Sequence, residues 1–360
     1  MSELERLYEK WKMLQPLPET KQRLLSQKFS VEYNYNSNHI EGNTLTYGQT
    51  ELLLLFGKVS GEGDLKDFVD MKASAVGVKM VEEAVVDRSV PMTQNFIRQL
   101  HKVLLREDYT VYRNLPGGHT TSYTVHAGQY KTRPNSVITR YGTRFEYATP
   151  EETSSLMSDL VDWYNEAETS GKYSPVELAA LFHYRYIRIH PFEDGNGRIA
   201  RLMVNYILAR HGWPMIVVRN RNKADYLEAL NKSDNMTEKA PASGSKATLT
   251  QIAHFLRFFE KTVIEELRYN IEFATETKET IWWYDGQSVD FKRSKASQIL
   301  YVLRYFPWAK HEEICNRVQI SNAGLIKQLR KLTDNKYIDR NEKGEWRVMI
   351  CPSVEKDISL

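Results

Sequence analysis

Two apolar helical segments joined by one short polar loop constrain the fold of this chain more than any other feature. The first segment, SPVELAALFHYRYIRI, has apolar residues at helical spacing: Leu178, Leu181, Phe182 and Ile189. The second segment, RIARLMVNYILARHGWP, places an apolar face along one helix: Ile199, Leu202, Met203 and Tyr206. Ser174 and Pro175 begin the first helix, and Gly212 and Pro214 end the second. Because most of the remaining chain also has helical spacing, we expect a mainly α fold.

The loop between these helices, HPFEDGNGR from His190 to Arg198, contains a histidine, two adjacent acidic residues, two glycines and an arginine. Its glycines lead into the second helix, and a helix N-terminus presents unpaired N–H groups that bind phosphate. Arg198 and Arg201 add positive charge from the first turn, and arginine matches phosphate oxygens with two donors. Asp194 is an acid beside this anion site, which is favourable when Mg²⁺ bridges the carboxylate and phosphates. His190 then lies one loop from the phosphates, where it can act as a general base.

The run from His190 to Arg201 resembles the signature of the Fic family, H-x-F-x-[DE]-G-N-G-R-x-x-R, at every specified position. Typical members of that family are all-helical and transfer AMP from ATP to a protein hydroxyl. The resemblance therefore implies ATP and Mg²⁺ as ligands and a target protein as partner. AMP would pass to a Ser, Thr or Tyr hydroxyl of the target and to the chain itself, with release of pyrophosphate.

The resemblance also implies a role for each residue of this motif. His190 would be the catalytic base, Phe192 would anchor the loop in the core, and Asp194 would hold the metal. The residues implied to bind ATP are Asp194 through Mg²⁺, Gly195, Asn196 and Gly197 at the α- and β-phosphates, Arg198 at the β-phosphate and Arg201 at the γ-phosphate.

A stretch before the motif, GQYKTRPNSVITRYGTRFEYATP from Gly128 to Pro150, is rich in Thr, Val, Tyr and Arg. This composition predicts a short hairpin. A surface ribbon without a task is one interpretation, since a two-stranded hairpin is barely stable alone. The other follows from the resemblance, because Fic proteins carry a hairpin flap that pairs with the target segment by strand addition. The residues that would position the target are Ser136, Val137, Ile138 and Thr139.

The segment DYLEALNKSD after the motif resembles the adenine-side helix of the family, which often carries two adjacent tyrosines. Tyr226 matches the first tyrosine, Leu227 replaces the second, and Asp234 falls where asparagine is common. We expect Tyr226 and Leu227 to contact ATP, with the base stacked on the Tyr226 ring. Plain core packing of this helix is the alternative.

The stretch SNHIEGN, from Ser37 to Asn43, places Ser37 and Glu41 on one helical face, and Gly42 then ends the helix. Taken alone, this is an ordinary helix end. It also resembles the inhibitory motif of the family, [ST]-x-x-x-E-[GN], whose glutamate pairs with the second motif arginine, here Arg201. A carboxylate there displaces or misaligns the nucleotide, so the chain would be largely inactive as isolated. In some relatives the glutamate instead orients a water that removes AMP, and the sequence leaves this direction open.

The C-terminal part of the chain is basic. From Phe291 to Ile350 there are 13 Lys and Arg against 6 Asp and Glu, an excess of +7 in a chain of net charge +3. Two helices around the turn QISN, followed by two short strands, resemble a winged helix-turn-helix. That fold would place four residues near DNA: Asn322, Lys327, Arg330 and Lys331. A protein-binding or dimerising domain is the alternative, because similarity of fold does not set function.

The expected architecture is therefore mainly α, with a Fic-type helical bundle, a β-hairpin flap and a C-terminal winged helix-turn-helix domain. The expected domains are 1–90 with the inhibitory helix, 91–275 as the catalytic core, and 290–352 as the winged helix. A charged N-terminus, a longest apolar stretch of only LLLLF, and two cysteines favour a cytoplasmic chain without a membrane partner.

Three functional interpretations follow. The first is a self-inhibited protein adenylyltransferase. The second is an enzyme that removes AMP or transfers another nucleotide. The third is a DNA-binding regulator whose helical core senses a nucleotide. The presence of His190 favours an enzyme, because a sensor needs no base.

Overall fold

The chain is mainly helical in a computed structural model, which describes residues 1–59, 63–114, 120–138, 144–238, 240–292, 294–341 and 344–355. The helices are α1 (Glu3–Met13), α2 (Glu19–Ile40), α3 (Tyr47–Phe56), α4 (Leu65–Ala84), α5 (Gln94–Leu105), α6 (Pro150–Ser170), α7 (Pro175–Ile189), α8 (Asn196–Arg210), α9 (Lys223–Asp234), α10 (Pro241–Gly244), α11 (Ala253–Thr275), α12 (Ala296–Tyr305), α13 (His311–Val318) and α14 (Asn322–Asp334). A 3-10 turn at Asn220–Asn222 precedes α9.

Short antiparallel strands interrupt the helices. They are β1 (Tyr109–Asn114), β2 (Thr120–Val125), β3 (Ser136–Ile138), β4 (Arg144–Glu146), β5 (Ile281–Tyr284), β6 (Gln287–Asp290), β7 (Ile338–Arg340), β8 (Trp346–Val348) and β9 (Cys351–Pro352). The pairs β1–β2, β3–β4 and β7–β8 form two-stranded ribbons, and β5 lies between β6 and β9 in a three-stranded sheet. The β3–β4 ribbon is the hairpin that the sequence predicts, but its turn at 139–143 lies outside the described residues.

The chain divides into two compact units. The first unit comprises Met1–Tyr35, Thr44–Phe68 and Ile264–Leu360, and the second comprises Asn36–Asn43 and Val69–Val263. The last turn of α2, which contains Ser37, and Glu41 directly after it thus belong to the second unit. The expected domain ranges 1–90, 91–275 and 290–352 divide the chain differently and stay a prediction.

Helices α7 and α8 form the centre of the second unit. Ser174 caps α7 through a capping box with Glu177, and Pro175 occupies the first helical position. Almost every residue of both helices is buried. Helix α6 packs on α7, and α5 packs on both α6 and α8. Because buried helices hold their ends in fixed places, the loop between α7 and α8 starts and finishes at defined positions.

The β1–β2 ribbon of the second unit was not expected from the sequence. Its six residue pairs run from Tyr109 opposite Val125 to Asn114 opposite Thr120. The signal was present, since β-branched and aromatic residues flank an LPGG turn signal in YTVYRNLPGGHTTSYTV. The connecting residues 115–119 lie outside the described residues.

The C-terminal part of the first unit has α12, α13 and α14 followed by the β7–β8 ribbon. Gln319, with φ of 54°, ends α13, and Ser321 caps α14. The helices, the ribbon and β5 share one apolar core that includes Trp282, Ile299, Leu300, Leu325 and Trp346. This element order agrees with the expected order, while its identification as a winged helix-turn-helix stays a prediction.

Throughout the described ranges, no helix is both long and apolar enough to cross a membrane.

Candidate active site

The loop from His190 to Gly195 joins the C-terminus of α7 to the N-terminus of α8. His190 is the C-cap of α7, with a left-handed φ of 51°, and its N–H donates to the Tyr186 carbonyl at 2.9 Å. Gly195, with φ of 76°, is the N-cap of α8 and supplies no capping side chain. The first N–H groups of α8 therefore have no side-chain cap and are suited to an anionic ligand.

The side chain of Asn196 closes this loop. Its Oδ1 accepts from the Phe192 N–H at 3.0 Å, and its Nδ2 donates to the Phe192 carbonyl at 2.7 Å. Phe192 is fully buried, as its expected anchoring role requires. Because the Asn196 amide is already used on both sides, this residue is left to bind phosphate through its backbone N–H.

His101 of α5 supports the loop through contacts with Phe192 and Asp194. The sequence analysis did not identify this residue. Its ring stacks on Phe192 with centroids 3.7 Å apart. The Gly128 N–H donates to Nδ1 at 2.8 Å, so Nε2 carries the proton and donates to the Asp194 carbonyl at 3.0 Å. Burial lowers the pKa of His101 to about 4, with interactions with Asp194 opposing this shift. His101 is thus a neutral bridge that fixes the backbone before Gly195.

The His190 ring lies flat against Tyr147, with centroids 3.9 Å apart and an angle of 12° between the rings. Burial lowers the pKa of His190 to about 3, and the positive charge of Lys131 acts in the same direction. The Ile187 carbonyl and Asp194 oppose this shift. Nδ1 is a buried ring nitrogen, which leaves Nε2 as the nitrogen to receive a proton. The neutral imidazole that a general base requires is therefore favoured.

A short segment leading into β3 is tied to the loop. Lys131 is buried, donates to the Ile189 carbonyl at 3.0 Å and to Asn135 Oδ1 at 2.9 Å, and burial lowers its pKa to about 8. Asn135 Nδ2 donates to the Phe192 carbonyl at 3.0 Å. Thr132 donates to Glu193 through both its N–H and its hydroxyl. These bonds place the start of β3 beside the motif.

The expected flap residues meet this placement only in part. Ser136, Val137 and Ile138 form β3, opposite Glu146, Phe145 and Arg144 of β4. Thr139 lies outside the described residues. Asn135, which directly precedes β3, bonds the loop, so the start of β3 lies beside it. The target-positioning role of these residues stays a prediction.

Asp194 is the candidate metal ligand. The Tyr109 hydroxyl donates to its Oδ2 at 2.7 Å, the Gly195 N–H donates to its Oδ1 at 2.7 Å, and its side chain remains 45% exposed. Within the described ranges, no group of three His, Cys, Asp or Glu side chains forms an all-protein metal site. One oriented, exposed carboxylate at a phosphate site fits Mg²⁺, which usually takes one or two protein carboxylates together with phosphate oxygens and water.

The two motif arginines are both buried but are held differently. Arg198 lies 3.6 Å from Asp194 and 3.9 Å from Asp70, which are ion-pair distances longer than hydrogen bonds. Arg201 donates from Nε to the Ser37 hydroxyl at 3.0 Å and from Nη2 to the Ser37 carbonyl at 2.8 Å. Arg201 also donates to Glu41 Oε1 at 2.7 Å. Arg198 is thus the looser of the two guanidinium groups.

Glu41 lies over the first turn of α8. Helix α2 ends at Ile40, and Gly42 follows with φ of 98°. A Cβ atom added at Gly197 would come within 2.3 Å of Glu41 Oε1 and 3.1 Å of Arg201 Nη1. The Glu41 carboxylate therefore occupies space directly against the helix N-terminus, where a phosphate of a nucleotide would lie.

The residues expected beside the adenine differ in exposure. Tyr226 is buried, its hydroxyl lies 2.8 Å from His183 Nε2, and it also hydrogen-bonds Arg201. Leu227 is 48% exposed, and is the accessible one of the two. Asp234 accepts from the Tyr184 hydroxyl at 2.8 Å and from Arg188 at 3.0 Å. The stacking of a base on Tyr226 stays a prediction.

The structure thus brings the loop residues, both arginines, Ser37 and Glu41 into one site within the second unit. Four residues that the sequence analysis missed also contact the loop: His101, Tyr109, Lys131 and Tyr147. They come from different elements at large sequence separations, so no spacing rule connects them to the motif. The four candidate DNA contacts, Asn322, Lys327, Arg330 and Lys331, belong to the first unit, where all four are exposed on α14.

Comparisons with known proteins identify relatives of this chain. The model of the Fic/DOC family matches residues 91–208. A solved Fic domain containing signaling protein from Bacteroides thetaiotaomicron is 47% identical, with a TM-score of 0.71, over 77% of this chain and 100% of that one. Among curated proteins, the protein adenylyltransferase fic-1 of Caenorhabditis briggsae is 28% identical over 55% of this chain and 36% of its own length.

A second curated relative is the protein adenylyltransferase Fic of Nematostella vectensis. It is 29% identical over 57% of this chain and 43% of its own length. The chain therefore spans well under half of the length of these two curated relatives.

The position of Glu41 against α8 can be tested without any substrate. Gly197→Ala should destabilise the wild-type protein by about 1 kcal/mol or more, since the new methyl group collides with the Glu41 carboxylate. In a Glu41→Gly background the same change should be neutral or stabilise by up to about 1 kcal/mol, since alanine favours a helix. Urea unfolding of the four proteins measures this coupling. Equal effects in the two backgrounds would show that Glu41 does not lie there.

Proposed function

The chain belongs to the Fic/DOC family, and we propose on that basis that it is a self-inhibited protein adenylyltransferase. It transfers AMP from ATP to a Ser, Thr or Tyr hydroxyl of a target protein and to itself. The observation that carries this proposal is the single loop that places His190, Asp194 and the N-terminus of α8 together, with Arg198 and Arg201 beside them.

The reaction follows from the position of each group. The phosphates of ATP bind to the N–H groups of Asn196 and Gly197, and to that of Gly195 once it leaves Asp194, with Arg198 at the β-phosphate and Arg201 at the γ-phosphate. Asp194 would hold Mg²⁺, which would neutralise charge at the phosphates. The target hydroxyl oxygen attacks the α-phosphorus while its proton passes to His190. The bond from the α-phosphorus to the bridging oxygen breaks, and pyrophosphate leaves.

The inhibited state follows from the pairing of Arg201 with Glu41. A carboxylate on this guanidinium competes with the γ-phosphate for the same donors and repels it. ATP then binds weakly or with its α-phosphorus out of line, and slight misalignment can reduce transfer ~100-fold. The alternative is removal of AMP, in which Glu41 orients a water against the AMP–protein bond. The 41% exposure of Glu41 is compatible with both.

The C-terminal helices are proposed to bind DNA or a second protein, including another copy of the chain. Lys327, Arg330 and Lys331 are exposed on α14 beside Asn322, which favours a phosphate-rich partner. Ile326, 50% exposed on the same helix, favours a protein partner instead. A cytoplasmic location also remains a proposal.

Labelling with α-labelled ATP and Mg²⁺ tests the transfer activity. Glu41→Gly should label itself at least tenfold faster than wild type, because the γ-phosphate then meets Arg201 without a competing carboxylate. Glu41→Gln should fall between the two, because it keeps the size of the side chain and removes its charge. Autoradiography of the proteins after a timed reaction gives the rates.

His190→Ala in the Glu41→Gly background should abolish labelling. His211→Ala, at the C-cap of α8 and far along the helix from the loop, is the matched control and should label normally. Absence of label from every variant would disprove AMP transfer. If wild type then releases AMP from a modified protein and Glu41→Gly does not, removal is the activity.

The pH dependence of transfer should lack an ordinary histidine transition. With its pKa lowered to about 3, His190 is already neutral above about pH 5, so protonation does not remove the base until lower pH. The rate of the Glu41→Gly protein should therefore not fall tenfold between pH 7.5 and 5.5. ATP binding over the same range serves as the control. An acidic transition near pH 6.5 would show that the base has a normal pKa.

Fluorescence anisotropy with a labelled duplex tests the DNA proposal. Binding should weaken with salt, and the combined change of Lys327, Arg330 and Lys331 to alanine should reduce the log–log salt slope by about 1 per lost phosphate contact. Alanines at Lys10 and Lys12 of α1 are the control. Lack of binding at low salt would leave the protein partner as the remaining proposal.

A further inference from the structure

The proposed reaction assigns no role to Tyr147, although its ring stacks on that of His190. The ring planes differ by only 12° at a centroid distance of 3.9 Å, which is a close face-to-face contact. A ring contact of this kind restricts rotation of the imidazole about its own side-chain bonds.

The backbone of Tyr147 is itself fixed. Tyr147 directly follows β4, which ends at Glu146. Ala148 is fully buried, and Thr149 caps α6 in a capping box with Glu152. Tyr147 is therefore held between the flap ribbon and the capped start of α6, so its ring keeps a defined position beside His190.

The side chain of His190 extends from the end of a helix. Its backbone has a left-handed φ of 51° and ends α7, so no later turn of that helix follows it. The side-chain bonds of Lys131 and Asn135 end on the carbonyls of Ile189 and Phe192, so they hold the backbone on both sides of His190 and not its imidazole. A hydrogen bond to the Ile187 carbonyl holds an edge of the imidazole, and the Tyr147 ring lies flat against its face.

We propose that Tyr147 is a positioning residue that holds the His190 imidazole in line with the target hydroxyl and joins the flap to the base. This inference rests on the proposed AMP transfer. The ring face also stabilises the imidazolium that forms when His190 accepts the hydroxyl proton, because an aromatic face attracts a cation. Lys131, which is positive and near the same ring, acts against that imidazolium.

The ring of Tyr147 carries this role, and its hydroxyl does not. Burial raises the pKa of Tyr147 to about 12, with Asp234 acting in the same direction, so the phenol stays protonated at neutral pH. A phenylalanine keeps the ring face and removes the hydroxyl, whereas a leucine removes the face. The two changes therefore separate the role of the ring from any role of the hydroxyl.

The kinetic test uses Tyr147→Phe and Tyr147→Leu in the Glu41→Gly background. Tyr147→Leu should lower kcat for AMP transfer roughly 10- to 100-fold with little change in KM for ATP, since nucleotide contacts are untouched. Tyr147→Phe should stay within about twofold of its parent. Tyr173→Leu, which removes an edge contact with Trp163, is the control for loss of a partly buried tyrosine. Tyr147→Met replaces the leucine variant if that protein does not fold.

A second readout does not depend on transfer. In an NMR spectrum of the full chain, the His190 ring protons should be shifted upfield by the Tyr147 ring current, and the shift should persist in Tyr147→Phe and disappear in Tyr147→Leu. Loss of kcat in both variants alike, or full kcat in the leucine variant, overturns the proposal. An absent ring-current shift also overturns it. If the Glu41→Gly parent transfers no AMP, the proposed function fails, and the shift alone decides whether Tyr147 holds the ring.

Discussion

The two hydrogen bonds between the Asn196 amide and the Phe192 backbone are the interaction on which the site depends. They close the loop on itself, with His190 before the closure and Asp194 within it. His101 adds a third restraint by stacking on Phe192 and holding the Asp194 carbonyl. A loop restrained at both its apolar and its polar ends keeps its shape without a ligand. Catalytic groups held in place beforehand need no reorganisation during the reaction.

This closure leaves phosphate recognition to backbone N–H groups and to two buried arginines. A buried guanidinium without an anion is strongly unfavourable, and removing one partner of a buried ion pair typically costs ~3–5 kcal/mol. Arg201 is 2% exposed and bonds Ser37, and an anion beside it further offsets the cost of burying its charge. Glu41 is that anion in this structure. In the proposed activation the γ-phosphate takes the place of Glu41 at Arg201. Activation then depends on the difference between the free energies of these two pairings. A change of about 5.5 kcal/mol in the free-energy difference between two states moves their equilibrium from 1:99 to 99:1.

The sequence predicted the parts of this site that are local. Ser174 with Pro175 and the glycines after Asp194 set the ends of α7 and α8, because caps act within one turn. Family resemblance predicted the pairing of Glu41 with Arg201 across 160 residues, which spacing alone does not do, whereas the contact of Ser37 with Arg201 was seen only in the structure. The side chains that support the loop were missed, since only the packing of the fold brings them to it. His101 comes from α5, Tyr109 from β1, and Tyr147 from the link between β4 and α6. The side chain of Asn196 was expected at the phosphates, and its internal hydrogen bonds were visible only in three dimensions.

In the proposed reaction, His190 is a weak base that stays neutral at neutral pH. Burial and Lys131 lower its pKa to about 3, so the neutral form is complete at neutral pH, while its affinity for a proton is small. Enzymes that transfer phosphoryl groups depend mainly on positioning and electrostatic stabilisation and little on strong bases. A chain with a weak base must therefore control geometry closely. The restraints on this loop, from Asn135 and Lys131 on its carbonyls to Tyr147 on its imidazole, act on geometry and not on basicity.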